Sequence, residues 1–261
     1  MLLDMRDFLA GLGFADLAAP LWFFLCWIGY AQYADRQRVR RNTLAARVHE
    51  YRLAWMRQML TRENRIVDIA IVRLLVQNIS FFASGAVLIV GGLVAILGSG
   101  EKAMQVIRHI PFAEQVPPVV WDLKVLLLVL VFVYAFFKFT WSLRQFNYLA
   151  IVLGAVPQPD TPGAGSFSRR AAEVATRAGD HFNRGMRAYY FGLAALGWFV
   201  HPYLLILATA WVVLVVYRRE FRSHMLGVLG RIGEPVVPAG ADRPEPPQPS
   251  RESPFSSSAR R

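Results

Sequence analysis

Long apolar runs alternate along this chain with short segments crowded with arginine. The apolar runs extend from Leu12 to Tyr33, from Ile69 to Leu97, and from Leu123 to a polar group at Arg144, Gln145 and Asn147. A helix of about 20 residues crosses the roughly 30 Å hydrocarbon core of a bilayer, so each of these runs predicts a membrane span. A further apolar piece, Tyr148 to Val156, is too short to span. It is either the tail of the third helix or an interfacial segment.

The last run, Ala188 to Tyr217, is apolar except at His201-Pro202. Arg184 and Arg187 stand in front of it, and Arg218, Arg219 and Arg222 behind it. A single helix of this length would be about 45 Å long and would put the two arginine groups on opposite sides. A turn at His201-Pro202 instead returns the chain to the side it left, with limbs of about 13 to 15 residues, short for spans. Tyr189, Tyr190, Trp198 and Tyr203 then suit interfacial anchoring. The pattern predicts five spans, or four if the last run is one helix.

Charge gives the orientation. After the first run come ten arginines from Arg36 to Arg73, the last just inside the second run, opposed by Asp35, Glu50, Glu63 and Asp68. The positive-inside rule makes this segment cytoplasmic and leaves the N-terminus, with Asp4, Asp7 and Asp16 against Arg6, outside. The first run lacks a basic front and a small-residue cleavage site, so it reads as an anchor that is retained. The segment Gly98 to Trp121 has balanced charges and prolines, as an external loop does. Pro157, Pro159 and Pro162 with Gly163 and Gly165 form another loop, and Arg169 to Arg187 is again cytoplasmic in character. The proline- and serine-rich stretch 231–261 is expected to be a disordered cytoplasmic tail behind a membrane domain of residues 1–230.

The expected fold class is therefore all-α, a polytopic transmembrane helical bundle with cytoplasmic helical extensions, placed in the cell (inner) membrane. Composition agrees, with 55% hydrophobic residues beside 18% charged ones and a net charge of +11. A soluble domain does not sort the two classes into blocks of spanning length. Cys26, the single cysteine, forms no intrachain disulfide. No HExxH, CxxC pair, GxSxG elbow, Walker loop or GxGxxG is present. The chain therefore offers no catalytic, cofactor-binding or metal-binding residues and is read as a non-enzyme. Arginines beside spans are explained by topology, which leaves no argument for nucleic acid.

Four features carry candidate chemistry. From Thr43 to Leu60, the residues Leu44, Val48, Tyr51, Trp55 and Met59 share one helical face. That face either lies on an anionic leaflet or packs on a helix bearing Ala171, Val174, Ala178, Phe182 and Met186. In the second span Arg73, Gln77, Ser80 and Ser84 recur on one side, extended by Gly91 and Ala95. Such a stripe is expected to pack on other helices or to line a polar path. Lys138 in the third span either snorkels or pairs with Asp68 or Asp180. His201 reads as a turn residue without metal partners.

Several segments occur in an order that resembles a known family. They are Asn64 to Asp68, Ser80-Phe81-Phe82-Ala83-Ser84, Trp141 to Tyr148, and Phe182 to Phe191. The chain is similar over roughly residues 14 to 230 to the domain of unknown function 599 (DUF599) family of multi-span membrane proteins. The resemblance implies location and fold and supplies no substrate or catalytic residue. The motif positions Asn64, Asp68, Arg73, Gln77, Lys138, Arg144, Gln145, Asn147, Asn183, Arg184 and Arg187 all map to cytoplasmic helix ends. They are expected to form one polar cluster. The first functional reading is a structural or interaction bundle whose cluster contacts anionic lipid or a protein partner, a second copy included. The alternative is a small-solute transporter or channel with its path along the second span.

Overall fold

The computed structural model describes residues 14–39, 43–99, 116–157 and 161–229. The expectations for the acidic N-terminus, the middle of the external loop and the tail 231–261 fall outside the described residues.

Every regular element among the described residues is helical. The elements are α1 (Phe14–Val39), α2 (Leu44–Thr61), α3 (Ile66–Gly98), α4 (Pro118–Gly154), α5 (Ala164–Ala195), a 3-10 turn (Leu196–Phe199), α6 (Pro202–Phe221) and the short α7 (His224–Val228). Among the described residues three segments are long and apolar enough to cross a membrane: Phe14–Arg36, Ile66–Gly98 and Pro118–Gly154. The most apolar window of α3 has a mean hydropathy of 2.3, yet only 17% of it is buried. Phe81 and Leu88 are 74% and 78% exposed. Apolar surface turned outward on this scale calls for a lipid environment.

α4 departs from the expected boundaries at both ends. Pro117 and Pro118 do not break the chain but open the helix, because proline at the first helical position loses no hydrogen bond. Trp121 consequently lies buried in α4 rather than in a loop, and Lys124, inside the third run, is buried as well. At the other end the helix runs to Gly154, so Tyr148 to Val156 is mostly the tail of the third helix. With 37 residues, α4 is about 55 Å long, well beyond the hydrocarbon thickness.

The core forms where α5 packs along α4, and α3 packs on α4. α4 and α5 are antiparallel, with Ser142 donating to the Ala178 carbonyl at 2.7 Å and Phe132 lying against Gly192. The α5 face is built from small residues, Ala171, Ala175, Ala178, Gly185, Ala188 and Gly192, into which Phe139 and Phe132 of α4 insert. Its N-cap, Gly163, has φ 96°, a left-handed conformation that glycine adopts without strain. α2 docks on the same helix, with His49 Nδ1 and Thr176 Oγ1 2.8 Å apart and the Arg52 guanidinium over Gly179. The packing alternative for α2 is thus the one the fold adopts, although Tyr51 stays 41% exposed and Met56 takes its place in the core.

The last apolar run is broken at the expected residues. His201 is extended (φ −161°, ψ 143°), its Nδ1 accepts from the Tyr203 N–H at 3.3 Å, and Pro202 starts α6. α6 returns along α5, so that Arg219 donates to the Tyr190 hydroxyl at 2.9 Å. Lys124 of α4, almost fully buried, supports the turn by donating to the Trp198 carbonyl at 2.9 Å, a cation at the end of a helix. Trp198 and Tyr189 are inside the bundle rather than at an interface. Tyr189 reaches α3, donating to the Phe82 carbonyl at 2.8 Å beside Gly85.

α1 lies against α5 and α6. Phe23 meets Phe191 edge-on and Trp27 stacks on it, Asp35 meets Arg184, and Tyr30 donates to Glu220 at 3.3 Å. These pairings run α1 antiparallel to α5 and gather the arginine-rich ends of α1, α5 and α6 at one end of the bundle.

Candidate functional site

The expected single polar cluster separates into three groups, because α3 and α4 turn several of its members away from α5. The first group centres on Asp35, which the sequence reading left out of the cluster. Asp35 projects from the last turns of α1 and receives Arg184 at 2.9 Å and Arg187 at 3.5 Å. Lys138 lies 5.0 Å above the Tyr134 ring, within the electrostatic reach of Asp35 and Arg184. The carboxylate whose charge reaches it is Asp35, while Asp68 is engaged by Trp55 and Arg62. Asp35 stands two residues beyond the first apolar run, level with the arginines that precede the last run, and that spacing is the signal that was available.

Asp35, Arg184 and Arg187 line a cavity of about 200 Å³ between α1, α4 and α5, with Trp27, Tyr134 and Phe191 as its aromatic walls. Arg187 also lines a second cavity, of about 430 Å³, between α2, α5 and α6. There Arg52, Arg219, Asn183 and Glu220 stand over an apolar wall that includes Leu44, Val48 and Phe182. Arg187 Nη1 is buried without a hydrogen-bond partner among the described residues.

The second group joins α2 to α3. Asp68 is fully buried, and its Oδ1 accepts from Trp55 Nε1 at 2.6 Å and from Arg62 at 2.7 Å. Asn64 caps the same elbow by accepting from the Ile66 N–H at 2.9 Å. The third group is on the outer face of α4. Arg144 donates to the Tyr148 hydroxyl at 2.8 Å and sits 5.8 Å from the Trp141 ring centroid. Gln145 Oε1 is buried without a partner among the described residues, while Asn147 is exposed. Nearby, His181 lies in the arginine-rich part of α5, ahead of the apolar run. Burial first, then the charges of Lys138 and Arg184, push its pKa down to about 4.

Arg73, Gln77 and Ser84 of α3 are exposed, and Ser80 is half-buried. Gly91 would have nothing within 4 Å of an added Cβ. The stripe thus points away from the bundle, because α3 packs on α4 through Val72, Ile79, Ala83 and Ala86 on its other side. Neither cavity above is lined by stripe residues. Among the described residues no group of three metal-ligating side chains is brought together.

The family model described as a protein of unknown function, DUF599, matches residues 18–225. The chain belongs to the DUF599 family. No curated protein and no solved structure matches it. The DUF599 match takes in both cavities, the Asp68 elbow and the hairpin, and stops ahead of the proline-rich stretch. The DUF599 segment is therefore the helical bundle itself.

Proposed function

We propose that the protein is a non-enzymatic, five-span bundle of the cell inner membrane, N-terminus outside and C-terminus cytoplasmic, whose arginine-rich end holds an anionic lipid. The observation that carries the lipid reading is the 430 Å³ cavity, where Arg52, Arg187 and Arg219 stand at the edge of an apolar wall. Guanidinium groups recognise phosphate through paired donors, and the apolar wall offers a place for the first carbons of an acyl chain. Glu220 partly offsets the three cations and leaves the cavity net positive.

The test uses the purified protein in phosphatidylcholine nanodiscs with graded phosphatidylglycerol. Native mass spectrometry is expected to show phosphatidylglycerol retained over phosphatidylcholine. The Arg52→Gln/Arg219→Gln double variant is expected to lose that preference by roughly 10- to 30-fold, at about 1 kcal/mol for each basic group near the surface. Equal retention of both lipids by the natural protein would remove the proposal.

The five-span topology is supported by the turn at His201 and by the gathering of the arginine ends of α1, α5 and α6 at one end. A cysteine placed at Arg222 is expected to resist a membrane-impermeant maleimide added from outside and to react once the membrane is opened. Labelling from outside in intact cells would return the last run to a single helix.

A further inference from the structure

The smaller cavity has a polarity that the lipid reading does not use. Its mouth is charged and open, with the Asp35 and Arg184 side chains 42% and 35% exposed. Its inner end is aromatic and buried, with Trp27 9% exposed and Phe191 fully buried. Trp27 stacks on Phe191 at 6.0 Å and meets Tyr134 edge-on at 5.3 Å, so these walls hold one another in place. At about 200 Å³ the space exceeds the roughly 150 Å³ in which an engineered apolar cavity admits benzene.

Charge at the mouth is not balanced. Arg184, Arg187 and the nearby Lys138 face Asp35 as the one carboxylate lining the cavity. The second acid close by, Glu220, is engaged by the Tyr30 hydroxyl. The Arg187–Asp35 contact is long at 3.5 Å, and Arg187 Nη1 is buried without a partner among the described residues. Two guanidinium groups sharing one carboxylate leave donors for a second.

We propose that this cavity is a binding site for a small organic carboxylate whose body is apolar and about the size of one ring. The carboxylate takes Arg184 and Arg187 at the mouth, and the ring packs on Trp27, Tyr134 and Phe191. Phosphate, which has no apolar body, leaves the aromatic end unfilled. A neutral ring compound of the same size leaves the guanidinium groups unpaired.

The test titrates benzoate, benzyl alcohol and inorganic phosphate into the full-length protein in neutral-lipid nanodiscs, reading thermal stability and tryptophan fluorescence. Benzoate is expected to raise the melting temperature saturably and to change the fluorescence, with phosphate and benzyl alcohol much weaker. Arg184→Gln is expected to weaken benzoate by about 10-fold or more while leaving phosphatidylglycerol retention unchanged. Ala31→Leu narrows the cavity while keeping every charged side chain and is expected to abolish the benzoate response. The Arg52→Gln/Arg219→Gln variant, which disables the larger cavity, is expected to keep it. The proposal is overturned if the natural protein shows no saturable benzoate response, if phosphate matches benzoate, or if the response survives Ala31→Leu.

Discussion

Gly185→Ala is expected to destabilise the bundle by about 1–3 kcal/mol, whereas Gly91→Ala leaves it unchanged or slightly more stable. Both residues are inside helices, where alanine is intrinsically favoured over glycine by up to about 1 kcal/mol. What separates them is the surrounding structure. A Cβ at Gly185 would lie 2.6 Å from the Phe139 ring, which is fully buried between α4 and α5, while a Cβ at Gly91 meets nothing within 4 Å. The ring cannot withdraw, because Phe82, Phe182 and Tyr189 surround it. Overpacking therefore outweighs the helix-propensity gain at one site and is absent at the other. Thermal unfolding followed by size-exclusion chromatography measures both. Phe139→Leu introduced beside Gly185→Ala is expected to recover part of the loss, giving a non-additive pair. Equal behaviour of the two alanine variants would mean that α4 and α5 do not interlock as described.

Asp68→Ala is expected to cost about 3 kcal/mol, and Arg62→Ala nearly as much. An exposed ion pair would give at most about 1 kcal/mol, and Arg62, at 42% exposed, belongs to that class when considered alone. The decisive partner is Asp68, which is fully buried. Removing Arg62 strands a carboxylate away from water, and removing Asp68 strands the Trp55 indole N–H. Asp68→Asn keeps an acceptor for Trp55 and is expected to cost less than half as much as alanine. The same unfolding measurement decides the matter, and an Asp68→Ala loss below about 0.5 kcal/mol would sink the buried-elbow account.

Much of this fold is legible from hydropathy and charge. The break at His201-Pro202 follows from arginines at both ends of one apolar run, since a turn within the run brings the two groups to one end of the bundle. The docking of α2 on α5 follows from two matching small and apolar faces. The candidate cluster was less legible. Helical position tells how deep a residue lies but not which way its side chain points. Arg73 and Gln77 stand level with buried Val72 and Ile79 along α3, yet α3 presents its opposite face to α4. Asp35 was passed over because it stood among many arginines as a single opposing charge, and only the pairing of α1 with α5 shows which arginines it meets. Lys124 was hidden for a related reason. Its partner is a backbone carbonyl, which no side-chain pattern reveals.

That carbonyl belongs to Trp198, 74 residues further along the chain than the lysine that binds it. The buried amine near the start of α4 thereby fastens the turn between α5 and α6 to a third helix. The hairpin is held at its tip as well as along its length, so its two helices cannot swing apart from α4 without stranding a charge. One lysine acts as the latch of the hairpin.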